Sequence, residues 1–193
     1  MLKIPYSREM ACVTTVIAFV FQLLAVWTPH WIHTHEGQVL TNYSGLWETC
    51  DIYYNKDNIS CFTCKYIHID QHKTQDVFMI HVQLLAVSAL IVMGVVLLLR
   101  LAILCSCLDI WSYCIRVMII VTTILSGLLS LSSAILYAAA LCPTSDVKHS
   151  ITTIKGWSFG LEIIASILCV PAVTITLREF DRSAYQPINN KYQ

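Results

Sequence analysis

The chain has 193 residues and no formal net charge at pH 7, with 56% hydrophobic and only 12% charged residues. Typical globular domains carry about a quarter charged residues, so this composition argues against an ordinary water-soluble domain. Four stretches with few or no charges, each near the roughly 20 residues that cross a bilayer, predict membrane-spanning helices. They cover residues 10–27, 77–99, 117–141 and 157–177.

The first apolar stretch follows Lys3 and Arg8, an arrangement that is also found in secretory signal peptides. It is long, however, and no small-residue cleavage pattern follows it. We therefore expect a retained first span that ends at Pro29. Trp27 and Trp31 are expected at the headgroup boundary, which amphipathic aromatic side chains prefer.

The positive charges predict the orientation in the membrane. If both termini are inside, all five arginines lie on the inner side, and the outer segments carry only lysines. Because cytoplasmic segments beside spans are enriched in Lys and Arg, we expect both termini in the cytoplasm. Segments 28–76 and 142–156 are then outside and the tail 178–193 is inside. The N-glycosylation sequons at Asn42 and Asn58 also lie outside.

The first outer segment is too long for a simple connector and alternates polar with apolar residues in places. Residues 31–35 and 65–69 show this alternation, and Val, Ile, Thr and Tyr are frequent. This pattern predicts strands, with turns at 36–37 and 55–58. We expect an antiparallel sheet of three or four strands, formed mainly by this segment and lying on the helix ends.

The inner loop, roughly Arg100 to Arg116, places cysteines beside the membrane. In a reducing compartment they do not form disulfides. Cys105 and Cys107 are candidates for reversible palmitoylation, as is Cys114, and free buried thiols are the equally weighted alternative.

Small and polar residues mark the last two spans. Small residues recur every fourth position from Ser126 through Ser130 and Ala134 to Ala138, which permits close helix approach. We expect this stripe to pack within the bundle, with a dimer face as the alternative. A carboxylate in a span is usually functional or paired. Because Glu162 lies near the outer boundary, we expect it to reach interfacial water.

The most specific pattern lies in the first outer segment: Trp31, then Gly45-Leu46-Trp47, Cys50 and Cys61. With four spans and inside termini, it resembles the claudin family, within the superfamily of the peripheral myelin and epithelial membrane proteins. The resemblance covers the whole chain in topology. It implies one claudin-like domain over 1–193, an all-α four-helix transmembrane bundle with a small extracellular antiparallel β-sheet.

The resemblance also implies a Cys50–Cys61 disulfide that staples two neighbouring strands. Ten residues separate these cysteines, as in the family, whereas Cys64 is extra and competes with Cys61 or stays free. The other motif residues would form the packed core of the sheet: Trp31, Gly45, Leu46 and Trp47.

The implied function is that of a structural cell-adhesion component of tight junctions in the plasma membrane. Such a protein forms homo-oligomers within one membrane (in cis), associates with claudin-like proteins across the intercellular gap (in trans), and forms a paracellular barrier or an ion-selective pore. Six acids against three lysines in segment 28–76 would favour cations in a pore. The candidate pore residues are Glu48, Asp51 and Asp70, and a merely solvated surface is the alternative.

Several departures from the claudin pattern favour a second function. The start of the second span, residues 77–85, has His81 but lacks the Arg that claudins usually carry there. The second outer segment is shorter than in typical claudins, and the chain ends in Gln193 rather than in the apolar residue that PDZ grooves accept. The Asn42 sequon before Gly-Leu-Trp resembles the myelin and epithelial membrane proteins. The alternative is therefore a glycosylated four-span adaptor that modulates other membrane proteins without forming junction strands.

No pattern points to an enzyme. The Cys-x-x-Cys of 61–64 has zinc or redox spacing, which is weak evidence by itself. His33 with His35, and His68 with His72, are spaced for zinc binding or acid sensing, although surface histidines are the favoured interpretation. We expect no catalytic residues, no metal, no cofactor and no nucleic acid; membrane lipid is an expected partner.

Overall fold

The computed structural model describes residues 7–36, 39–54, 60–67, 74–104, 112–140 and 151–189. These residues form a helix bundle and a five-stranded sheet. The helices are α1 (Ser7–Trp27), α2 (Thr74–Leu104), α3 (Ser112–Ala140) and α4 (Trp157–Asn189). The strands are β1 (Ile32–Glu36), β2 (Val39–Ser44), β3 (Glu48–Tyr54), β4 (Ser60–Tyr66) and β5 (Ile151–Lys155).

Each helix contains a stretch long and apolar enough to cross a membrane. On α2, Leu84, Ile91 and Leu98 are 61%, 62% and 68% exposed, a stripe that repeats every seven residues and suits contact with lipid. The chain is therefore a multi-pass membrane protein, as its composition predicts. The four stretches are Glu9–Trp27, Phe78–Leu104, Tyr113–Ala139 and Trp157–Glu179.

The expected boundaries of the inner loop are wrong, because Arg100 and Arg116 both lie inside helices. The guanidinium of Arg100 is buried and donates to the carbonyl oxygen of Ala172 at 3.2 Å and to Oγ1 of Thr176 at 2.8 Å. A buried cation needs such partners. These contacts with α4 allow α2 to continue past the expected end of the span.

The small-residue stripe on α3 faces the bundle interior, where Ser126, Ser130 and Ala134 are buried. Oγ of Ser126 donates to the carbonyl oxygen of Ala89 on α2 at 2.9 Å. Close approach of neighbouring helices is the usual role of such residues in membranes. The expectation that this stripe packs within the bundle is confirmed.

Glu162 does not reach water, so that expectation is wrong. Its side chain is fully buried in the bundle. The hydroxyls of Ser130 and Ser133 donate to its Oε1 atom at 2.7 and 3.4 Å. Because an isolated carboxyl group inside a membrane protein is costly, these two donors from α3 explain its position.

The strand order is β4-β3-β2-β1-β5, and all neighbouring strands are antiparallel. Residues 28–76 supply four strands, as expected. The fifth strand comes from residues 142–156 and pairs with β1, which was not expected. Its β-branched residues, in Ile151–Lys155, are the signal that could have identified it.

Candidate functional site

Trp31 lies at the junction between the sheet and the helix bundle, and its side chain is fully buried. Its ring packs edge-on against Tyr137 of α3 and Phe159 of α4, with centroid distances of 4.7 and 6.0 Å. Its Nε1–H donates to the carbonyl oxygen of Ala25 in α1 at 2.6 Å. One indole thus holds three helices to the first strand. Trp31 belongs to the packed core, as expected, and its place at the headgroup boundary stays a prediction.

The Gly45-Leu46-Trp47 segment makes a second attachment to the helices. The Leu46 side chain is fully buried, and the amide of Gln83 on α2 donates to the Leu46 carbonyl oxygen at 2.6 Å. Nε1–H of Trp47 donates to the carbonyl oxygen of Val26 at 2.8 Å, although 37% of this side chain stays exposed. The turn between β2 and β3 is therefore fixed near the C-terminal end of α1 and the N-terminal part of α2.

Two glycines let backbone segments approach too closely for a side chain. A Cβ atom on Gly45 would overlap Cα of Pro29, and one on Gly156 would overlap the carbonyl group of His30. The N–H of Gly156 also donates to the carbonyl oxygen of Trp31 at 2.8 Å. Close backbone approach therefore requires glycine at both positions, and the second contact joins the start of α4 to the start of β1.

The disulfide joins Cys50 to Cys64, so the expected Cys50–Cys61 pairing is wrong. In the β3–β4 register, Cys50 stands directly opposite Cys64 with their Cα atoms 4.0 Å apart, and Cys61 stands opposite Tyr53. A disulfide needs neighbouring Cα atoms and facing Cβ atoms, which the register provides at Cys64. Spacing along the chain does not reveal this register, which depends on pairing between the strands.

The candidate pore residues do not share one surface. Side chains alternate along a regular strand, so Glu48 and Asp51 of β3 point to opposite faces of the sheet. Oδ1 of Asp51 accepts a hydrogen bond from the side-chain amide of Asn42 at 2.8 Å, whereas Glu48 stands opposite Tyr66. Asp70 lies outside the described residues. The two described carboxylates therefore cannot line one face together.

Most candidate modification sites fall outside the described residues, namely Asn58, Cys105 and Cys107. Asn42 lies half-buried in β2 with its amide bonded to Asp51. Cys114 is an exposed free thiol near the start of α3. Glycosylation and palmitoylation stay predictions.

His30 and His33 form a histidine pair at the sheet–bundle junction, with ring centroids 5.4 Å apart. The His30 ring also stacks on Tyr43 at 4.8 Å and lies 5.3 Å from Trp157. Burial lowers the pKa of both histidines below the ordinary value. The neighbouring His33 imidazole lowers the pKa of His30 further, and the His35 imidazole does the same to the pKa of His33. Within the described ranges, no group of three or more metal-ligating side chains occurs.

No protein-family model matches the chain, and a comparison with curated proteins finds no match either. The resemblance to claudins therefore depends on the motif residues and the predicted topology.

Several residues that hold the sheet in place were not singled out from the sequence. Gln83 is the one amide side chain in the second apolar stretch, and Tyr137 is the one phenol in the third. Polar groups isolated in this way were the signals in the sequence that could have identified both residues. His30 has no such signal, because its ring meets Tyr43 and Trp157, which are distant in the sequence, only after folding.

Acidification is expected to weaken the sheet–bundle junction. The folded chain keeps His30 and His33 neutral at a pH where the unfolded chain protonates them, so unfolding takes up protons. Stability therefore falls as the pH drops below the ordinary histidine pKa of about 6.5, toward the lowered folded values. Thermal unfolding midpoints of the detergent-purified protein, measured from about pH 7.5 to about pH 5, check this expectation.

The double variant His30→Gln/His33→Gln tests whether these two histidines cause the acid sensitivity, and His35→Gln is its control. The double variant should show a flatter dependence of the midpoint on pH, whereas His35→Gln should keep most of the slope. An equally steep dependence in the double variant would show that other groups cause the acid sensitivity.

Proposed function

We propose that the chain is a claudin-like tight-junction protein of the plasma membrane, with both termini cytoplasmic and the sheet outside the cell. Its sheet associates with claudin-like chains in the same membrane (in cis) and across the intercellular gap (in trans), and forms a paracellular barrier or an ion-selective pore. The attachment of the sheet to the helix ends carries the proposal. Trp31, Trp47 and Gly156 each fix it, so the sheet is a rigid platform rather than a loose connector.

The sheet also has edges that suit lateral association. β4 and β5 are the outermost strands in the order, and an outermost strand offers unpaired backbone groups to another chain. Near the β4 edge, Tyr53 and Tyr66 are 56% and 84% exposed. Tyrosine is enriched at the energetic centres of protein interfaces, so this edge is the better candidate for contact between copies.

The charge of the first outer segment supports a preference for cations if a pore forms. Six acids stand against three lysines in 28–76. Glu48 and Asp51 point to opposite faces of the sheet, so each face carries one of these two carboxylates. Carboxylates along a pore stabilise an entering cation.

Contact between cells tests the proposed adhesion. The fluorescently tagged chain, expressed in cells without junctions, is expected to concentrate at borders between two expressing cells. Borders between an expressing and a non-expressing cell are the internal control and should show no enrichment. Equal staining of both kinds of border would contradict association across the gap.

An adaptor of the peripheral myelin and epithelial membrane protein type is the second candidate, and one feature of the bundle favours it. An apolar groove of about 370 Å³ lies between α3 and α4 and includes Gly127 and Ser166. Small residues let a partner's transmembrane helix approach closely. Diffuse surface staining, together with co-purification of one other membrane protein, would support the adaptor over the junction protein.

A further inference from the structure

A second cavity lies where the outer ends of α1 and α2 meet the turn between β2 and β3. Its volume is about 510 Å³. Unlike the groove between α3 and α4, it combines aromatic rings with a carboxylate. Its lining residues are Trp27, Trp47, Glu48, Tyr66, Ile67 and Gln83.

One wall of this cavity is held in place by hydrogen bonds. The Trp47 indole is bonded to the Val26 carbonyl oxygen, and the N–H of Ile67 donates to the Trp47 carbonyl oxygen at 2.8 Å. The amide of Gln83 is bonded to the Leu46 carbonyl oxygen. The wall formed by Trp47, Ile67 and Gln83 is therefore preorganised, which lowers the free-energy cost of binding.

The chemistry of the lining suits a bulky cation. Trp27 and Tyr66 are 78% and 84% exposed, so their ring surfaces are open to a ligand. Glu48 stands opposite Tyr66 in the β3–β4 register and is half-buried, and the described part of the chain gives it no ion pair. Aromatic faces attract cations, and cages of such rings recognise quaternary ammonium groups. The carboxylate adds the matching negative charge.

The depth of the cavity points to a lipid. Trp27 ends the membrane-spanning stretch Glu9–Trp27, so the cavity lies at the level of the headgroups. We propose that it binds the phosphocholine headgroup of a membrane lipid, with the trimethylammonium group against the rings of Trp27, Trp47 and Tyr66 and beside Glu48.

The disulfide contributes to this site through the register of the hairpin. Glu48 and Tyr66 form the pair next to Cys50 and Cys64 on the same face of the sheet. With Cys61 opposite Cys50, β4 would shift by three residues, and an odd shift turns each side chain to the other face. The Cys50–Cys64 bond thus keeps Tyr66 beside the carboxylate.

Native mass spectrometry of the full chain, purified in a detergent without choline, tests the proposal. The probes are phosphatidylcholine, phosphatidylethanolamine and phosphatidylglycerol with identical acyl chains. We expect preferential retention of phosphatidylcholine. Glu48→Gln should reduce this preference about threefold, as expected for a partly exposed charge pair, and Tyr66→Ala should reduce it about fivefold through loss of a cation–π contact.

Matched controls separate the site from general effects. Asp51→Asn removes a carboxylate from the opposite face of β3, and Tyr53→Ala removes an exposed tyrosine away from the cavity lining; both should keep the preference. Tyr66→Phe, which retains an aromatic face, should keep it as well. Equal retention of the three lipids, or an unchanged preference in Glu48→Gln, would overturn the proposal. Soluble phosphocholine that binds as tightly as the lipid would overturn the lipid as the occupant.

Discussion

The Cys61→Ser/Cys64→Ser variant is expected to lose most of its surface expression. The native bond spans 14 positions along the chain, and closing a loop of that length stabilises a fold by about 3 kcal/mol. Because domains are stable by only about 5–15 kcal/mol, such a loss leaves a large unfolded fraction for cellular quality control. Surface biotinylation and the thermal unfolding midpoint of the purified protein measure the effect.

Single substitutions show which bond matters. Cys61→Ser alone should resemble the wild type, because Cys50 and Cys64 remain opposite each other. Cys50→Ser should be as damaging as the double variant, and combining it with Cys64→Ser should add little, since both remove the same bond. Cys64→Ser alone leaves Cys61 available to Cys50 in a shifted register, which is why the double variant is decisive. Severe loss in Cys61→Ser with normal Cys64→Ser would reverse the assignment.

Trp31→Ala is expected to detach the sheet from the bundle, with a loss of stability of about 3–5 kcal/mol, the range for truncating a buried aromatic residue. The substitution removes the ring contacts with Tyr137 and Phe159 and the hydrogen bond to Ala25. Thermal unfolding of the purified protein gives the change in stability. Limited proteolysis of the outer segment tests whether the sheet itself is released.

Two further substitutions calibrate the Trp31 result. Trp31→Phe keeps an aromatic ring but loses the N–H donor to Ala25 and part of the ring volume, so it should cost about 1–3 kcal/mol, less than Trp31→Ala. Trp27→Ala, at a residue that is 78% exposed near the same helix end, should hardly change the unfolding midpoint. If Trp31→Ala and Trp27→Ala were equally mild, Trp31 would not be the anchor of the sheet.

Much of the fold could be predicted from the sequence because the bilayer imposes a simple rule. A spanning helix needs about 20 apolar residues, and all four such stretches lie in helices. Strand β1 was predictable because the alternation of polar and apolar residues at 31–35 is a local property, whereas the alternation at 65–69 overlaps only the last two residues of β4. Trp31 and Leu46 could be assigned to the sheet core through the motif that resembles claudins.

The remaining features depend on contacts between distant parts of the chain. Strand register decides the partner of Cys50, and β3–β4 pairing is not encoded in the spacing of cysteines. Glu162 is buried because Ser130 and Ser133 on another helix turn toward it. In the same way, Trp27, Trp47 and Tyr66 meet at one cavity only after folding.

The most direct test of the proposed junction function is freeze-fracture electron microscopy of junction-free cells that express the chain. The junction proposal predicts continuous intramembrane strands at contacts between expressing cells. The Cys61→Ser/Cys64→Ser variant should produce none, and Cys61→Ser should retain them. Wild-type protein at the surface of contacting cells with no strands would contradict the junction function and favour the adaptor.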